Sequence, residues 1–566
     1  MNTSKKSRVR RVMVSITRRP AFGGMAVGLL FWWQSLSPTL MPRAWVIQAA
    51  VSAICVTLGY ALGTLAGRLT RAVLRRRRVH IPGRLWRPAR FGVGVLAVLA
   101  LALGSIRWLG WQNSQRELVA MDSISGTVIP PMLGLTVILA GILFVAGRIV
   151  GAAVRGLDRW NQRHLPRVAA QPLTVVLVLL LTVLVIRDVA FARFTNWAST
   201  SFGAVDTGTA DGVIRPETET VSGGIGSLVE WDDLGLQGRS FAGGATTVDE
   251  LQAFWGDDTE ISAPIRAYAG LRSNGDPRGR ARLAVDDLER AGGFDREVLV
   301  VATATGTGWI DPDAAEAIEQ IYRGDTAIVS MQYSYLPSWI SFITDLDLAA
   351  EAGTELYGEV YQRWSQLPEG DRPTLLVFGL SLGSFGAESA FVGPDADTSL
   401  TNIVTRSDGA LFVGAAHANP ILRQVTGARD PGSPEWAPVF DQGRIVRFVT
   451  RDPDHGDPEG PWPQPRVLYI QHPSDPVTHW GMDWLWSRPG WMDDPRGYDV
   501  PADGRWFPVV TWVQGIFDLM AGFAAPPGFG HDYRLDYVDG WTRIAPPEGW
   551  SAEDTVRLEH FLFPDR

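Results

Sequence analysis

Gly379-Leu380-Ser381-Leu382-Gly383 sets a serine hydroxyl between two glycines, after the apolar run Thr374–Phe378 and before a small-residue stretch that suits a helix. A hydroxyl so placed could act as the nucleophile of acyl transfer. A serine on a sharp strand-to-helix turn needs small residues two positions to either side, which Gly379 and Gly383 supply. The helix behind it aims the positive end of its dipole at any oxyanion formed there. Taken alone, the pattern also fits a Gly-rich turn after a buried strand, in a chain with 60 glycines among 566 residues. A serine of this kind works only with a base and an acid, so partners must be found.

The acid is expected just after a later strand. Arg466–Gln471 (RVLYIQ) reads as that strand, and Asp475 lies at the tip of the turn His472–Pro476. An Asx-turn residue is the other reading of Asp475. For the base, His80 and His164 fall in the basic N-terminal third, His417 and His455 precede the acid, His472 is in its turn, and His479 follows it by only four residues. His531, in the loop Pro526-Pro527-Gly528-Phe529-Gly530-His531, is the candidate; His560 sits on a terminal helical segment and reads as structural. Ser381, Asp475 and His531 stand in the chain order of the α/β-hydrolase fold.

An oxyanion hole is expected where Thr305-Gly306-Thr307-Gly308-Trp309 follows the apolar run Val298–Ala302, with the Leu382 N–H as second donor. A phosphate loop fits less well, because the GxGxxG pattern is incomplete and no P-loop lysine follows. Trp309, Trp339 within Leu336–Phe342, and Trp480 with Trp484, Trp486 and Trp491 are candidate substrate-lining aromatics. They equally suit a membrane interface or an ordinary core. The chemistry calls for no cofactor and no metal. The single cysteine, Cys55, rules out a disulfide framework or a Cys-based metal site within one chain.

The elements needed to hold these residues follow from the pattern between Ala263 and Phe378. Apolar strand-like runs (Arg266–Leu271, Val298–Ala302, Thr326–Gln332) alternate with helical ones (Asp286–Ala291, Asp311–Tyr322, Leu348–Leu367). Such alternation predicts a mostly parallel sheet flanked by helices, an α/β-hydrolase domain over 263–566. Residues 391–465 read as part sheet (Ala410–Ala415, Arg444–Val449) and part lid. Residues 191–262 read as a linker or an extension packed on the domain.

Charge divides the chain. Residues 1–190 carry 25 of the 52 Lys and Arg against four acids, a net of +21; the rest carry 27 basic and 56 acidic residues, a net of −29. Basic loops beside apolar runs point to a membrane and away from nucleic acid. Five stretches fit helical spans: Pro20–Ser37, Ala44–Ala66, Phe91–Gly110, Val128–Ile149 and Pro172–Ala190. The N-terminus and the loops after spans two and four are rich in arginine. Five spans then predict a multi-pass plasma-membrane protein with a cytoplasmic N-terminus and an extracytoplasmic acidic half. Gly24 and Gly28, and Gly59, Gly63 and Gly67, stand four apart, which permits close helix contact or is ordinary membrane-helix glycine.

Together TGTGWIDP (Thr305–Pro312), GDTAIVSMQYSYLPSW (Gly324–Trp339), GLSLGS (Gly379–Ser384), SDP (Ser474–Pro476), GHDY (Gly530–Tyr533) and SPTLMPR (Ser37–Arg43) resemble a family of actinobacterial membrane-anchored α/β-hydrolases. The resemblance covers nearly the whole chain and implies a Ser–Asp–His triad on Ser381, Asp475 and His531. One departure is that Phe507–Gly522, ahead of His531, reads as helical where the fold's last strand is expected. The expected activity is hydrolysis of an acyl ester, from a lipid or cell-envelope substrate. An envelope acyltransferase with the same triad, or a non-catalytic lipid-binding scaffold, are the alternatives. The oligomeric state is not written in the sequence.

Overall fold

The computed structural model describes residues 21–77, 86–164, 166, 173, 174, 176–178, 180, 192–344, 346–452 and 456–564. The chain falls into two compact units. One gathers the N-terminal region through Asn196 with Met482–Met492 and Val500–Ala521; the other holds Trp197–Gly481, Asp493–Asp499 and Gly522–Arg566.

Among the described residues of the first unit, three helical stretches are long and apolar enough to cross a bilayer: Trp45–Leu74, Phe91–Leu118 and Gly126–His164. Their flanks expose large apolar side chains such as Leu69, Phe91 and Val137, as surfaces facing lipid would. The expected first span forms the helix Phe22–Ser35, 14 residues and so about 21 Å long, shorter than the ~30 Å hydrocarbon core. The expected fifth span lies mostly outside the described residues. Four of the five spaced glycines (Gly24, Gly28, Gly59 and Gly63) pack closely inside the chain, whereas Gly67 has open space: a Cβ on Gly63 would stand 2.2 Å from the Gly23 carbonyl oxygen, and one on Gly59 would stand 2.7 Å from the Phe31 ring. Bare backbone lets Phe22–Ser35 lie directly on Trp45–Arg76.

The second unit is built on a seven-stranded sheet: β1 (Ile265–Ala269), β2 (Val298–Thr303), β3 (Thr326–Met331), β4 (Thr374–Leu380), β5 (Gly409–Val413), β6 (Val446–Val449) and β7 (Arg466–Ile470). Their order is β1-β3-β2-β4-β5-β7-β6, and every pairing is parallel. The strands are short apolar runs because both faces are covered. Leu299 and Val301 of β2 enter the core shared with the helices Pro277–Arg290 and Leu346–Trp364, whereas Val298, Val300 and Ala302 enter the opposite core, shared with Pro312–Ile321 and Tyr537–Ile544. Asp311 caps the helix Pro312–Ile321, accepting from the Asp313 N–H, as Asp before Pro predicts.

Residues 391–465 contribute β5 and β6, with helices Ala396–Arg406 and Pro420–Gly427. Val221 extends the sheet edge by pairing with Arg266, and Val229, Leu234 and Phe241 are buried in the core, so this part of 191–262 packs on the sheet. Among the described residues no strand lies between β7 and His531; the helix Val510–Gly522 occupies that stretch.

Candidate active site

The parallel register brings the carboxyl ends of β2, β4, β5 and β7 side by side, with Thr303 opposite Gly379, Leu380 opposite Val413, and Val413 opposite Ile470. Open α/β sheets bind ligands beyond such ends. Ser381 leaves β4 at φ +54°, ψ −123°, a strained conformation for a residue with a Cβ. Its N–H donates to the Val413 carbonyl at 2.8 Å. The two glycines are steric necessities: a Cβ on Gly379 would meet Ser384 Cα at 2.5 Å, and one on Gly383 would meet the Thr303 carbonyl oxygen at 2.3 Å. Leu382 opens the helix Leu382–Ser389, so its N–H has no intrahelical acceptor.

A buried chain of hydrogen bonds holds this turn from behind. Ser384 Oγ donates to the Ser381 carbonyl at 2.5 Å and accepts from Asn419 Nδ2 at 3.0 Å. Asn419 also donates to Glu388 Oε1 at 2.9 Å, which receives the Tyr469 hydroxyl at 2.8 Å, while the Ile421 N–H donates to Oε2 at 2.8 Å. Burial drives the Glu388 carboxyl up to about 7 against the pull of these donors.

After β7, Asp475 is fully buried and uses both oxygens. Oδ1 accepts the Val477 N–H at 2.8 Å, capping the helix Pro476–His479; Oδ2 receives His531 Nδ1 at 2.7 Å and the Tyr533 hydroxyl at 2.7 Å. Burial, reinforced by the Asp475 charge, holds the Tyr533 phenol well above its ordinary range, so it stays a donor. The His531 loop is tied down on several sides. The His531 N–H donates to the Gly522 carbonyl at 3.1 Å. The Gly530 N–H donates to Ser474 Oγ at 3.0 Å, and Ser474 donates to Asp499 at 2.6 Å. His472 Nδ1 meets the Gly530 carbonyl at 2.9 Å, and its Nε2 lies 3.2 Å from Asp536. Burial opposes charge on His472, but Asp536 together with Asp499 and the Gly530 carbonyl outweighs it and raises the ring's pKa.

Ser381 and His531 line one cavity of about 560 Å³ together with Thr305, Thr307 and Trp309. Among the described residues His531 Nε2 is buried without a hydrogen-bond partner, which leaves it open to exchange a proton. In the glycine loop, the Thr305 N–H donates to the Trp309 carbonyl at 3.0 Å and the Gly306 N–H to the Tyr333 hydroxyl at 2.8 Å. Those donors are committed within the fold, which leaves the Thr307 and Leu382 N–H groups as the candidates for an oxyanion. Gly306 and Gly308 adopt φ +48° and +94° to make the turn.

Of the expected aromatic lining, Trp309 is 37% exposed and lines the cavity. Trp339 lies on the helix Ser338–Thr344, with its side chain outside the described atoms. Trp480 ends the helix Pro476–His479 and is not among the cavity's lining residues. Trp484 and Trp491 are buried against each other, ring centroids 5.9 Å apart, and are core. Three further residues join the site without a site role legible in the sequence: Tyr533, Glu388 and Gly414. A Cβ on Gly414, at φ +50°, would meet Tyr533 Cε2 at 2.6 Å and His531 Cε1 at 2.8 Å. A glycine one residue past the apolar run Ala410–Val413, beside β4, is the signal the sequence carries for it.

A family model described as an alpha/beta-hydrolase family matches residues 265–558, and one described as that family's N-terminus matches residues 36–245. No curated relative matches the chain. Among solved structures, an acetylxylan esterase determined at 0.90 Å resolution is 11% identical over 32% of this chain and 84% of that one, with a TM-score of 0.20, too low to bear on function.

Proposed function

The chain belongs to this alpha/beta-hydrolase family, and on that premise we propose that it is a membrane-anchored serine hydrolase of acyl esters. The observation that carries the reading is the 2.7 Å pair of Asp475 Oδ2 and His531 Nδ1, with the opposite ring nitrogen unpartnered among the described residues in the cavity that Ser381 lines. Ser381 attacks the ester carbonyl and His531 takes its proton. Asp475 holds the imidazole in the tautomer with hydrogen on Nδ1 and stabilises the imidazolium. The N–H groups of Leu382 and Thr307 receive the oxyanion. His531 then protonates the leaving alcohol and activates the water that frees the acid.

The basic N-terminal loops and the acidic remainder support a cytoplasmic N-terminus and an extracytoplasmic catalytic unit. Protease added to intact spheroplasts should digest the chain beyond Ala190; protection would overturn that topology.

The test of the activity is labelling of the detergent-solubilised protein with a fluorophosphonate. Labelling should vanish in Ser381→Ala and slow strongly in Asp475→Asn and His531→Ala. Folded wild-type protein that takes no label, or label that persists in Ser381→Ala, overturns the reading.

A further inference from the structure

The cavity around Ser381 is only partly apolar: Pro312, Pro337, Leu380 and Phe523 line it, but so does a charged group. Asp311, Asp313, Asp532 and Arg534 all line it. Asp532 and Arg534 are joined as a fork, Nε to Oδ1 at 2.9 Å and Nη2 to Oδ2 at 2.7 Å. Asp311 is fixed by the Tyr537 hydroxyl at 2.6 Å on Oδ2 and by the Asp313 N–H at 3.1 Å on Oδ1. Burial pushes the Asp311 carboxyl up to about 6, so at neutral pH it is an acceptor held in a dry wall.

An alkyl chain laid on Asp313, Asp532 and Arg534 would strip their water and return no hydrogen bond, at a large desolvation cost. Hydroxyls replace water on both counts, since each donates and accepts. The carboxylates would accept from them, and Arg534, Thr305 and Thr307 would donate. The half-exposed Trp309 ring adds a flat apolar platform of low conformational entropy. A cationic group would satisfy the carboxylates but leave the guanidinium and hydroxyl donors unmatched. Three carboxylates against one guanidinium also repel a phosphate headgroup.

Resting on the Ser–Asp–His reading above, we propose that this cavity takes short-chain acyl esters of a neutral, hydroxyl-rich alcohol such as a sugar, and discriminates against anionic lipid. In the reaction, Ser381 Oγ bonds to the acyl carbon and that carbon's bond to the sugar oxygen breaks. The serine proton passes through His531 to the departing oxygen. Water then attacks the acyl carbon, that carbon's bond to Ser381 Oγ breaks, and the water's proton passes through His531 to Ser381 Oγ, giving the free acid.

The experiment uses full-length protein in detergent, first shown to take fluorophosphonate at Ser381, then assayed on an O-acetylated methyl glycoside, p-nitrophenyl acetate, p-nitrophenyl palmitate and phosphatidylglycerol in mixed micelles. Turnover of the acetylated glycoside should exceed that of palmitate and phospholipid at least 10-fold in kcat/KM. In Trp309→Ala and Asp313→Asn, the kcat/KM ratio of glycoside to p-nitrophenyl acetate should fall about 10-fold, mostly through KM. Labelled enzyme that prefers palmitate or phospholipid, or ratios unmoved in both variants, overturns the proposal and leaves the hydrolase reading standing. Absence of labelling overturns both.

Discussion

Asp475 and His531 stand 56 positions apart in the chain and 2.7 Å apart in space, Oδ2 to Nδ1, while the other oxygen of the same carboxylate caps a helix through Val477 at 2.8 Å. The capping bond fixes the carboxylate's rotation, and that fixed rotation aims Oδ2 at the imidazole. The helix cap and the contact with His531 therefore use two different oxygens of one group.

This division separates function from folding in Asp475→Asn. Asparagine caps helices as well as aspartate does, so the melting temperature should stay within a few degrees. An amide can present N–H to His531 and select the wrong tautomer, so kcat/KM on an activated ester should drop roughly 10³–10⁴-fold. A variant that unfolds, or one that keeps most activity, contradicts this.

Gly414→Ala tests whether backbone closeness sets the histidine. The added methyl must push on Tyr533 and His531 at under 3 Å and sits at positive φ. Activity should fall at least 10-fold, with a loss of about 1–3 kcal/mol in unfolding free energy. Restoration by Gly414→Ala combined with Tyr533→Phe is not expected, because the clash is with ring carbons and not with the hydroxyl.

Glu388 makes stability depend on pH. Its folded pKa, about 7, lies above the ordinary carboxylate value of 4.5. Between pH 4.5 and 7 the folded state therefore holds a proton that the unfolded chain has lost. The contribution is full below pH 4.5 and is lost as pH rises through 7. Relative to Glu388→Gln, which cannot titrate, wild-type melting temperature should decline by roughly 3–5 °C across that window. Parallel pH profiles for the two proteins would refute the assignment.

In the N-terminal unit, Arg43 and Asp518 form an ion pair at 2.9 Å with neither side chain exposed, and Arg43 also reaches Gln48 at 3.0 Å and Thr39. Asp518→Ala strands a buried guanidinium and should destabilise this unit by about 3–5 kcal/mol, whereas Arg43→Met with Asp518→Leu should recover most of that loss. Thermal unfolding in detergent, followed by tryptophan fluorescence, reads both. A double variant no better than the single one would mean that the pair's hydrogen-bonding neighbours need the charges.

Much of the fold was legible because its causes are local. Runs such as VLVVAT and TLLVFGL can only be strands covered on both faces, and Gly379, Ser381 and Gly383 report a turn whose clashes arise within a few residues and from the adjacent strand. The departure ahead of His531 was legible for the same reason, since VTWVQGIFDLMAG carries helical periodicity. Aromatic roles were not, because a tryptophan's type does not say whether it faces a cavity or a core; Trp309 and Trp484 differ only in what packs around them.

By itself, then, the sequence determined the alternating strands and helices, the apolar helices ahead of them, and the loops that bear Ser381, Asp475 and His531, since turn chemistry and hydrophobic period act over a few residues. Only the tertiary structure decided that Tyr533 shares an oxygen of Asp475 with His531, that Glu388, Asn419 and Ser384 brace the Ser381 carbonyl, and that Arg43 finds its counter-ion 475 positions away. Those pairings arise when burial removes water and each stranded polar group must take whichever partner the packing brings within reach.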